Sequence, residues 1–322
     1  MPHSKLSAFF ISFFLTLLLM TGALATVIIF RDGRPQTAAL QQHHQPQAVY
    51  LPPKEDRLVL LLSCAEAEDI PPDLYLLAGF LPDKGRIALC LLPPKTMVLN
   101  GEQYGTLDAL HTQGGTAYVA KALGSYLGVD IERNAQLEVT GLKKLMETIG
   151  FYKFFLPCEL DYPLHQRQIA MSRGEYRLDG RKLADLLCYP AYPGGEKERS
   201  DRGAMLLTQM LNAHLPDCNT PQGDRQVQVF LNSCRTNLSF QDYEERRSST
   251  KFLAALELPA ATAVYVEGEL SRDYSSFWLT EGCRARLTST FGGDGFLPTP
   301  DPLTQPEARV GAYDRVESEP KP

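Results

Sequence analysis

The sequence predicts an α/β fold of the layered α/β/α type, with a central mixed β-sheet, preceded by one N-terminal transmembrane helix. Three observations predict it: apolar runs of strand length, segments between them with apolar residues at helical spacing, and an uncharged apolar segment near the start of the chain. Because strands and helices interleave over residues 58–290, we expect helices packed on a sheet. A chain of 322 residues allows one large domain or two small ones.

Strands are predicted first at residues 58–62, an uninterrupted apolar run typical of a buried strand. Residues 73–80 and 86–92 are also strand-like, and the sequence PDKG at 82–85 between them has the composition of a turn, which predicts a hairpin. Further strands are predicted at 151–156, 263–268 and 275–279.

Helices are predicted where apolar residues recur at intervals of three and four. Thr140 is predicted to cap the second of them, since threonine is a favourable N-cap residue. The predicted helices are 116–127, 140–149, 180–188, 199–215, 239–258 and 281–291.

The N-terminal segment 6–30 contains no charged side chain. A helix needs about 20 apolar residues to cross a bilayer, so this segment is long enough. Ala23-Leu24-Ala25 would also serve as a signal-peptidase site, which leaves a cleaved signal peptide as the alternative. Because the apolar run continues past that site to Phe30, we predict that residues 1–30 form a single-pass membrane anchor.

The remaining organisation follows from composition. Residues 31–57 are rich in Gln and Pro and are predicted to be a flexible linker, whereas 291–322 are predicted to be a disordered, Pro-rich tail. Residues 58–290 between them form the predicted globular domain. The net charge of −6 argues against a nucleic-acid partner. Seven cysteines without a C-x-x-C pair give no support to a zinc ribbon.

Common catalytic motifs are missing from the sequence: it has no P-loop, no G-x-G-x-x-G, no H-E-x-x-H and no G-x-S-x-G. The best local signal is the pair Arg199 and Arg202, which are i, i+3 neighbours near a predicted helix start. A helix N-terminus attracts anions, so a phosphate could bridge the two arginines. The alternative is a solvated, charged turn in which the arginines pair with Glu198 and Asp201.

A resemblance to a known family favours the phosphate interpretation. The chain shows, in this order, DLYLL at 73–77, LLPPKT at 91–96, LDA at 107–109 with Gly114-Gly115, YRLDGRKLA at 176–184, the basic helix start at Arg199, and TNLS at 236–239. With the N-terminal span, these segments resemble the LytR-CpsA-Psr (LCP) family over residues 58–290. Members of that family transfer a glycopolymer from a polyprenyl-pyrophosphate carrier to the cell wall.

The resemblance implies a location, partners and site residues. The main domain would be extracytoplasmic at the cell membrane, with a polyprenyl-phosphate-linked glycopolymer or peptidoglycan as partner. Asp73 matches the family's metal-binding carboxylate and would hold Mg²⁺, for which carboxylate oxygen is a suitable ligand. Arg199 and Arg202 match phosphate-binding arginines, and Lys95 would supply one further positive charge.

The chain also departs from the family pattern. Where the family reads S-I-P-R-D, residues 91–95 read LLPPK, so Pro94 and Lys95 replace an arginine and an aspartate, and the family's R-x-R falls on residues 191–193, which hold no arginine. Each such charge is worth about 10²–10³-fold in rate if it resembles an oxyanion-hole donor. We therefore assign no catalytic residue and expect a degenerate active site in a weakened or inactive envelope phosphotransferase. The alternative is a non-catalytic module that binds polyprenyl phosphate or wall polymer in envelope assembly or regulation.

Overall fold

The computed structural model describes residues 50–165 and 167–292. The predicted anchor at 1–30, most of the predicted linker and nearly all of the predicted tail lie outside these residues. Within the described part of the chain, no helix is long and apolar enough to cross a membrane.

The described residues form α-helices and β-strands in alternation. The helices are α1 (Leu107–Leu127), α2 (Val139–Ile149), α3 (Gly180–Cys188), α4 (Gly195–His214), α5 (Pro221–Ser233), α6 (Phe240–Glu245), α7 (Arg247–Ala254) and α8 (Glu281–Phe291). The strands are β1 (Leu58–Ala65), β2 (Leu74–Leu81), β3 (Arg86–Leu92), β4 (Met97–Asn100), β5 (Gln103–Thr106), β6 (Arg133–Glu138), β7 (Tyr152–Leu156), β8 (Leu160–Leu164), β9 (Arg167–Met171), β10 (Gly174–Leu178), β11 (Cys234–Thr236), β12 (Ala261–Ala263), β13 (Gly268–Leu270) and β14 (Phe277–Leu279).

A six-stranded mixed sheet lies at the centre, in the order β11-β6-β1-β2-β3-β12. Strands β1, β2 and β3 form an antiparallel meander, in which β2 and β3 are the hairpin that the turn composition of residues 82–85 predicted. Strands β6 and β12 then add to its two sides by parallel pairing, and β11 closes one edge antiparallel to β6. Both edge strands, β11 and β12, are three residues long and come from the C-terminal third of the chain.

The two faces of the sheet are both covered by helices. Along the meander, Leu61, Leu77 and Cys90 point to one face and share a core with residues of α1 and α8. Leu74 and Leu91 point to the other face and share a second core with residues of α3 and α4. The alternation follows from the two-residue period of a strand, and it produces the helix–sheet–helix layers that the sequence predicted.

Several predicted boundaries were wrong, for local reasons. Helix α1 consists of two helical segments, because the backbone leaves helical geometry at Gly114 and Gly115 and resumes it afterwards. The second segment agrees with the helix predicted at 116–127, whereas the first, which begins at Leu107, was not predicted. Gly115 has φ +68°, a conformation that glycine adopts without strain. The N-cap of α2 is Glu138, not Thr140, and the helix predicted at 239–258 divides into α6 and α7. The strand predicted at 263–268 is instead the end of β12 and the start of β13.

Candidate functional site

The candidate site lies where β1 ends and β2 begins. Asp73 joins the two strands there, since its backbone N–H donates to the carbonyl of Cys64 at 3.1 Å. Its carboxylate Oδ2 is 2.8 Å from Nε2 of His165, which follows β8. The backbone carbonyl of Asp73 accepts a hydrogen bond from Nη1 of Arg199 at 3.2 Å. The structure therefore brings together two of the residues that the sequence analysis named, Asp73 and Arg199.

Arg199 is a buried cation, with 4% of its surface exposed. Its Nη2 lies 2.5 Å from Oε2 of Glu196, one turn earlier on α4, and its Nε is buried with no hydrogen-bond partner among the described residues. Helix α4 begins at Gly195, so Arg199 lies in the second turn rather than at the helix N-terminus. A buried guanidinium that is held by one carboxylate and one carbonyl is a fixed positive charge next to Asp73.

A second group of charges adjoins it. Glu66, directly after β1, accepts from Nε of Arg167 at 3.1 Å and from both terminal nitrogens of Arg181, at 2.8 and 2.7 Å. Arg167 also donates to Asp185. The hydrogen bonds from Arg181 lower the pKa of Glu66, whereas burial raises the pKa of Asp185 despite Arg167 beside it. Glu66 and Asp185 thus hold two arginines in place.

The β8–β9 hairpin joins these two groups, because His165 contacts Asp73 and Arg167 donates to Glu66. Burial raises the pKa of the nearby Cys188 thiol well above its usual range, and Asp73 raises it further. We name this set the strand-end cluster and define it by its members, which are Glu66, Asp73, His165, Arg167, Arg181, Asp185, Glu196 and Arg199. The cluster contains three arginines and four carboxylates, so it is not an open cationic pocket: each arginine already has an anionic neighbour.

The buried thiols under the cluster should be unreactive in the native protein. Burial, and then Asp73, raise the pKa of Cys64 to about 12, so almost no thiolate is present at pH 8. We expect iodoacetamide at pH 8 to alkylate the partly exposed Cys158 well before Cys64 or Cys188. Mass spectrometry of tryptic peptides would measure this, with guanidinium-unfolded protein as the control in which all three react. Labelling of Cys64 as fast as Cys158 would contradict the buried placement.

Two other residues named from the sequence make their contacts elsewhere. The Lys95 Nζ lies 2.7 Å from Oδ2 of Asp108, in an exposed pair at the start of α1. Arg202 donates from Nε to Glu198 at 2.6 Å and lies over the ring of Tyr192, 5.3 Å from its centroid. The pairing of Arg202 with Glu198 agrees with the charged-turn alternative for that residue. Asp201 instead pairs with Lys197.

The donor set limits what metal could bind at Asp73. Among the described residues, no group of three or more His, Cys, Asp or Glu side chains could hold an ion. Mg²⁺, however, commonly uses one or two carboxylates and takes its remaining ligands from phosphates and water. Asp73 therefore fits a Mg²⁺ that is shared with a phosphate, and the described residues do not fit a closed site made of protein ligands alone.

A cavity of about 340 Å³ opens beside the strand-end cluster. It lies between α2 and the start of α3, and Arg181 belongs both to its wall and to the cluster. The other lining residues are Lys143, Met146, Glu147, Phe151, Asp179 and Gly180. Four of the seven lining residues are charged, and Met146 and Phe151 add apolar surface, so the wall offers both polar and apolar contacts.

The sequence analysis missed most of the cluster. Glu66 and Arg181 are 115 residues apart, and Glu66 and Arg167 are 101 apart, so no local pattern joins them. One signal was available: Glu66 lies four residues after the end of the strand predicted at 58–62, and ligands of α/β folds commonly bind at strand ends. Arg181 also lies inside the YRLDGRKLA segment that carried the resemblance.

The family model for the LytR_cpsA_psr family matches residues 80–276, which is more than half of the chain. The chain belongs to this family. The match includes Lys95, His165, Arg167, Arg181 and Arg199, and it begins at Phe80, near the end of β2, so that Asp73 lies outside it. No curated protein matches the chain.

Solved structures share the fold of this LCP protein at low sequence identity. A putative transcription regulator from Eubacterium siraeum has a TM-score of 0.68 at 17% identity, covering 76% of this chain and 95% of its own. TagV from B. subtilis has a TM-score of 0.58 at 15% identity, covering 75% and 98%. TagT bound to LI-WTA has a TM-score of 0.56 at 14% identity, covering 77% and 94%. The mixed α/β fold with a central mixed sheet is therefore that of LCP proteins.

Proposed function

We propose that this LCP protein binds the pyrophosphate of a polyprenyl-linked glycopolymer at the strand-end cluster, in the assembly of the cell envelope. Family membership supports a glycopolymer as the ligand, and so does the fold shared with TagT, a protein seen with LI-WTA bound. In this proposal, the uncharged segment 6–30 anchors the protein in the cell membrane, and the described domain lies on the extracytoplasmic side.

The observation that carries the proposal is the buried Arg199 next to Asp73, with Arg167 and Arg181 close by. Burying a guanidinium costs free energy unless its charge is paired, so three arginines clustered at a strand end require anionic partners. Here the anionic partners are carboxylates of the protein. A pyrophosphate could replace some of these carboxylates as the partner of the arginines, because Arg binds phosphate oxygens in the same forked geometry.

Catalysis of the transfer would require the site to stabilise a transition state as well as to bind the donor. An acceptor hydroxyl oxygen would attack the sugar-linked phosphorus and lose its proton to solvent, the bridging P–O bond would break, and polyprenyl phosphate would leave with the electron pair. Negative charge accumulates on the phosphate oxygens during this step, and fixed cations must neutralise it. Mg²⁺ held by Asp73 would supply part of that charge. Pro94 stands where the family has an arginine, and Lys95 is paired with Asp108. We therefore propose that transfer is slow.

The second candidate function is a binding module without transfer activity. The charge balance of the cluster favours it, since each arginine has a carboxylate partner within the protein. Such a protein would hold the lipid-linked polymer for another enzyme of envelope assembly, or regulate its use.

The binding experiment uses the full-length protein in a neutral detergent and undecaprenyl pyrophosphate as the probe. We expect saturable binding that Arg199→Gln weakens about tenfold, since a hydrogen bond to a charged group is worth about 1.5–3 kcal/mol. The matched control is Arg247→Gln, which removes an arginine that pairs with Asp224 and Glu244 away from the cluster. Absence of binding by the wild type, or an equal loss in both variants, would overturn the proposal.

A transfer experiment separates the two candidates. With a lipid-linked donor, peptidoglycan and Mg²⁺, an enzyme should release polyprenyl phosphate, and Asp73→Asn should stop the release. Binding without release, in wild type and variant alike, would support the binding module.

A further inference from the structure

An exposed aromatic surface lies outside the strand-end cluster. Tyr104 on β5 and Trp278 on β14 are 52% and 41% exposed, and their ring centroids are 5.1 Å apart with 57° between the planes. Leu99 on β4 is directly opposite Tyr104 in the hairpin register and is also exposed. We call Leu99, Tyr104 and Trp278 the aromatic platform. Its backbone is rigid, because Val98 and Phe277, which neighbour Leu99 and Trp278, are fully buried.

The platform is joined to the segment where the family has its S-I-P-R-D residues. The backbone N–H of Phe277 donates to the carbonyl of Lys95 at 2.8 Å, and Thr96 pairs with Phe277 as an isolated parallel bridge. Lys95 is in turn paired with Asp108. Trp278 lies two residues beyond the end of the family match at 276, whereas Leu99 and Tyr104 lie within it.

The charges around the platform select among ligands. Glu269 is the cross-strand partner of Trp278, and Glu102 lies in the turn between β4 and β5. In the turn between β13 and β14, Arg272 is balanced by Asp273. This acidic surrounding repels anionic lipid headgroups and polyanionic wall polymers. A neutral polymer with both apolar and hydroxyl-bearing surface is not repelled and remains a suitable ligand for the platform.

We propose that the aromatic platform binds a neutral glycan strand, the acceptor side of the reaction, and this inference rests on the proposed function. The faces of aromatic rings carry partial negative charge, which attracts the polarised C–H groups of a sugar ring stacked on them. Two rings at 57° offer faces to successive sugars of a strand. The carboxylate of Glu269 and the hydroxyl of Ser276, which accepts from Nε1 of Trp278 at 3.1 Å, provide polar groups at the edge.

The chain itself provides the reporter for a test, because Trp278 is its only tryptophan. We titrate the full-length protein in neutral detergent with a soluble β-1,4-linked N-acetylglucosamine hexamer and follow tryptophan emission. We expect a saturable blue shift for the wild type. Tyr104→Ala keeps the reporter and should weaken binding about fivefold, which is the loss expected for one stacked ring. Phe155→Ala, which removes another 52%-exposed ring on β7, should leave the titration unchanged.

The possible outcomes separate this inference from the proposed function. The glycan shift should persist in Arg199→Gln, and undecaprenyl pyrophosphate binding should persist in Tyr104→Ala. If the hexamer produced no shift while pyrophosphate binding stayed intact, the glycan-binding role of the platform would be overturned and the proposed function would stand. A shift produced by anionic phosphatidylglycerol vesicles or by a poly(ribitol phosphate) oligomer, and not by the hexamer, would overturn the neutral-glycan assignment. A shift that Tyr104→Ala leaves unchanged would also overturn it.

Discussion

Glu66→Gln is expected to tighten the binding of undecaprenyl pyrophosphate about thirtyfold, which corresponds to about 2 kcal/mol. In the wild type, the Glu66 carboxylate forms three hydrogen bonds to Arg167 and Arg181, so an incoming phosphate must compete with it. Glutamine has the same size but no charge, and it leaves both guanidinium groups short of a counter-charge. A phosphate then meets Arg181 without its Glu66 carboxylate and Arg167 with Asp185 as its remaining partner. Isothermal titration calorimetry would measure the change.

The matched control is Glu68→Gln, two residues further along the same loop. Glu68 pairs with the exposed Arg235, so this variant has the same change in net charge without releasing the cluster arginines. We expect its affinity for pyrophosphate to stay within twofold of the wild type, since exposed pairs contribute little. Equal tightening in both variants would show a general charge effect. Weaker binding by Glu66→Gln would show that Glu66 positions the arginines for the ligand.

Acid should not reproduce the effect of Glu66→Gln in the ordinary pH range. The hydrogen bonds from Arg181 hold the pKa of Glu66 below its usual 4.5. A carboxylate with a lowered pKa stabilises the fold above its unfolded-state pKa, and this contribution is lost as the pH falls through the lower folded-state value. Between pH 8 and pH 5, Glu66 therefore stays ionised and the arginines stay paired.

Gly180→Ala is expected to destabilise the protein by about 3 kcal/mol, at the upper end of the usual cost of overpacking. A Cβ at Gly180, the first residue of α3, would lie 2.4 Å from the Cα and 2.5 Å from the backbone N of Lys143 on α2. Backbone atoms cannot move aside as a flexible side chain can, so the two helices must separate. The cavity beside the cluster lies between them, and Arg181 is the next residue. Urea denaturation would measure the loss of stability.

Gly282→Ala provides the control for this change. Gly282 is the second residue of α8, and no atom lies within 4 Å of the Cβ position. Because alanine favours the helix over glycine by about 0.5–1 kcal/mol, the stability should stay the same or rise slightly. If Gly180→Ala behaved like Gly282→Ala, α2 and α3 would not be as close as the structure shows.

The sheet meander could be predicted because its signals are local. The apolar run of β1 and the PDKG turn between β2 and β3 each specify one element without help from the rest of the chain. The first segment of α1 could not, because Gly114-Gly115 is typical of a boundary before a helix, and a further helical segment precedes these glycines in the structure. The division between α6 and α7 falls at Arg246, whose side chain donates to the carbonyl of Asp56, a contact with a distant part of the chain that no local pattern indicates.

The candidate site shows the same limit. Asp73 and Arg199 could be named because each lies in a segment that resembles a family motif, and the structure joins them. Lys95 and Arg202 were named by the same argument. In the structure they pair instead with Asp108 and Glu198, which are not members of the cluster. Glu66, Arg167 and the pair of Tyr104 with Trp278 depend on tertiary contacts, for which the local sequence has no periodic signal.

The order of strands in the central sheet has a consequence for synthesis of the chain. The four long strands are complete by Glu138, but the two short edge strands, β11 and β12, are translated only after residue 233. A nascent chain that has not yet reached them exposes the unpaired backbone of β6 and β3, and such edges are templates for pairing with other chains. Until translation reaches Ala263, the growing polypeptide must therefore be protected from its neighbours, and a chain that stops early would be a candidate for aggregation.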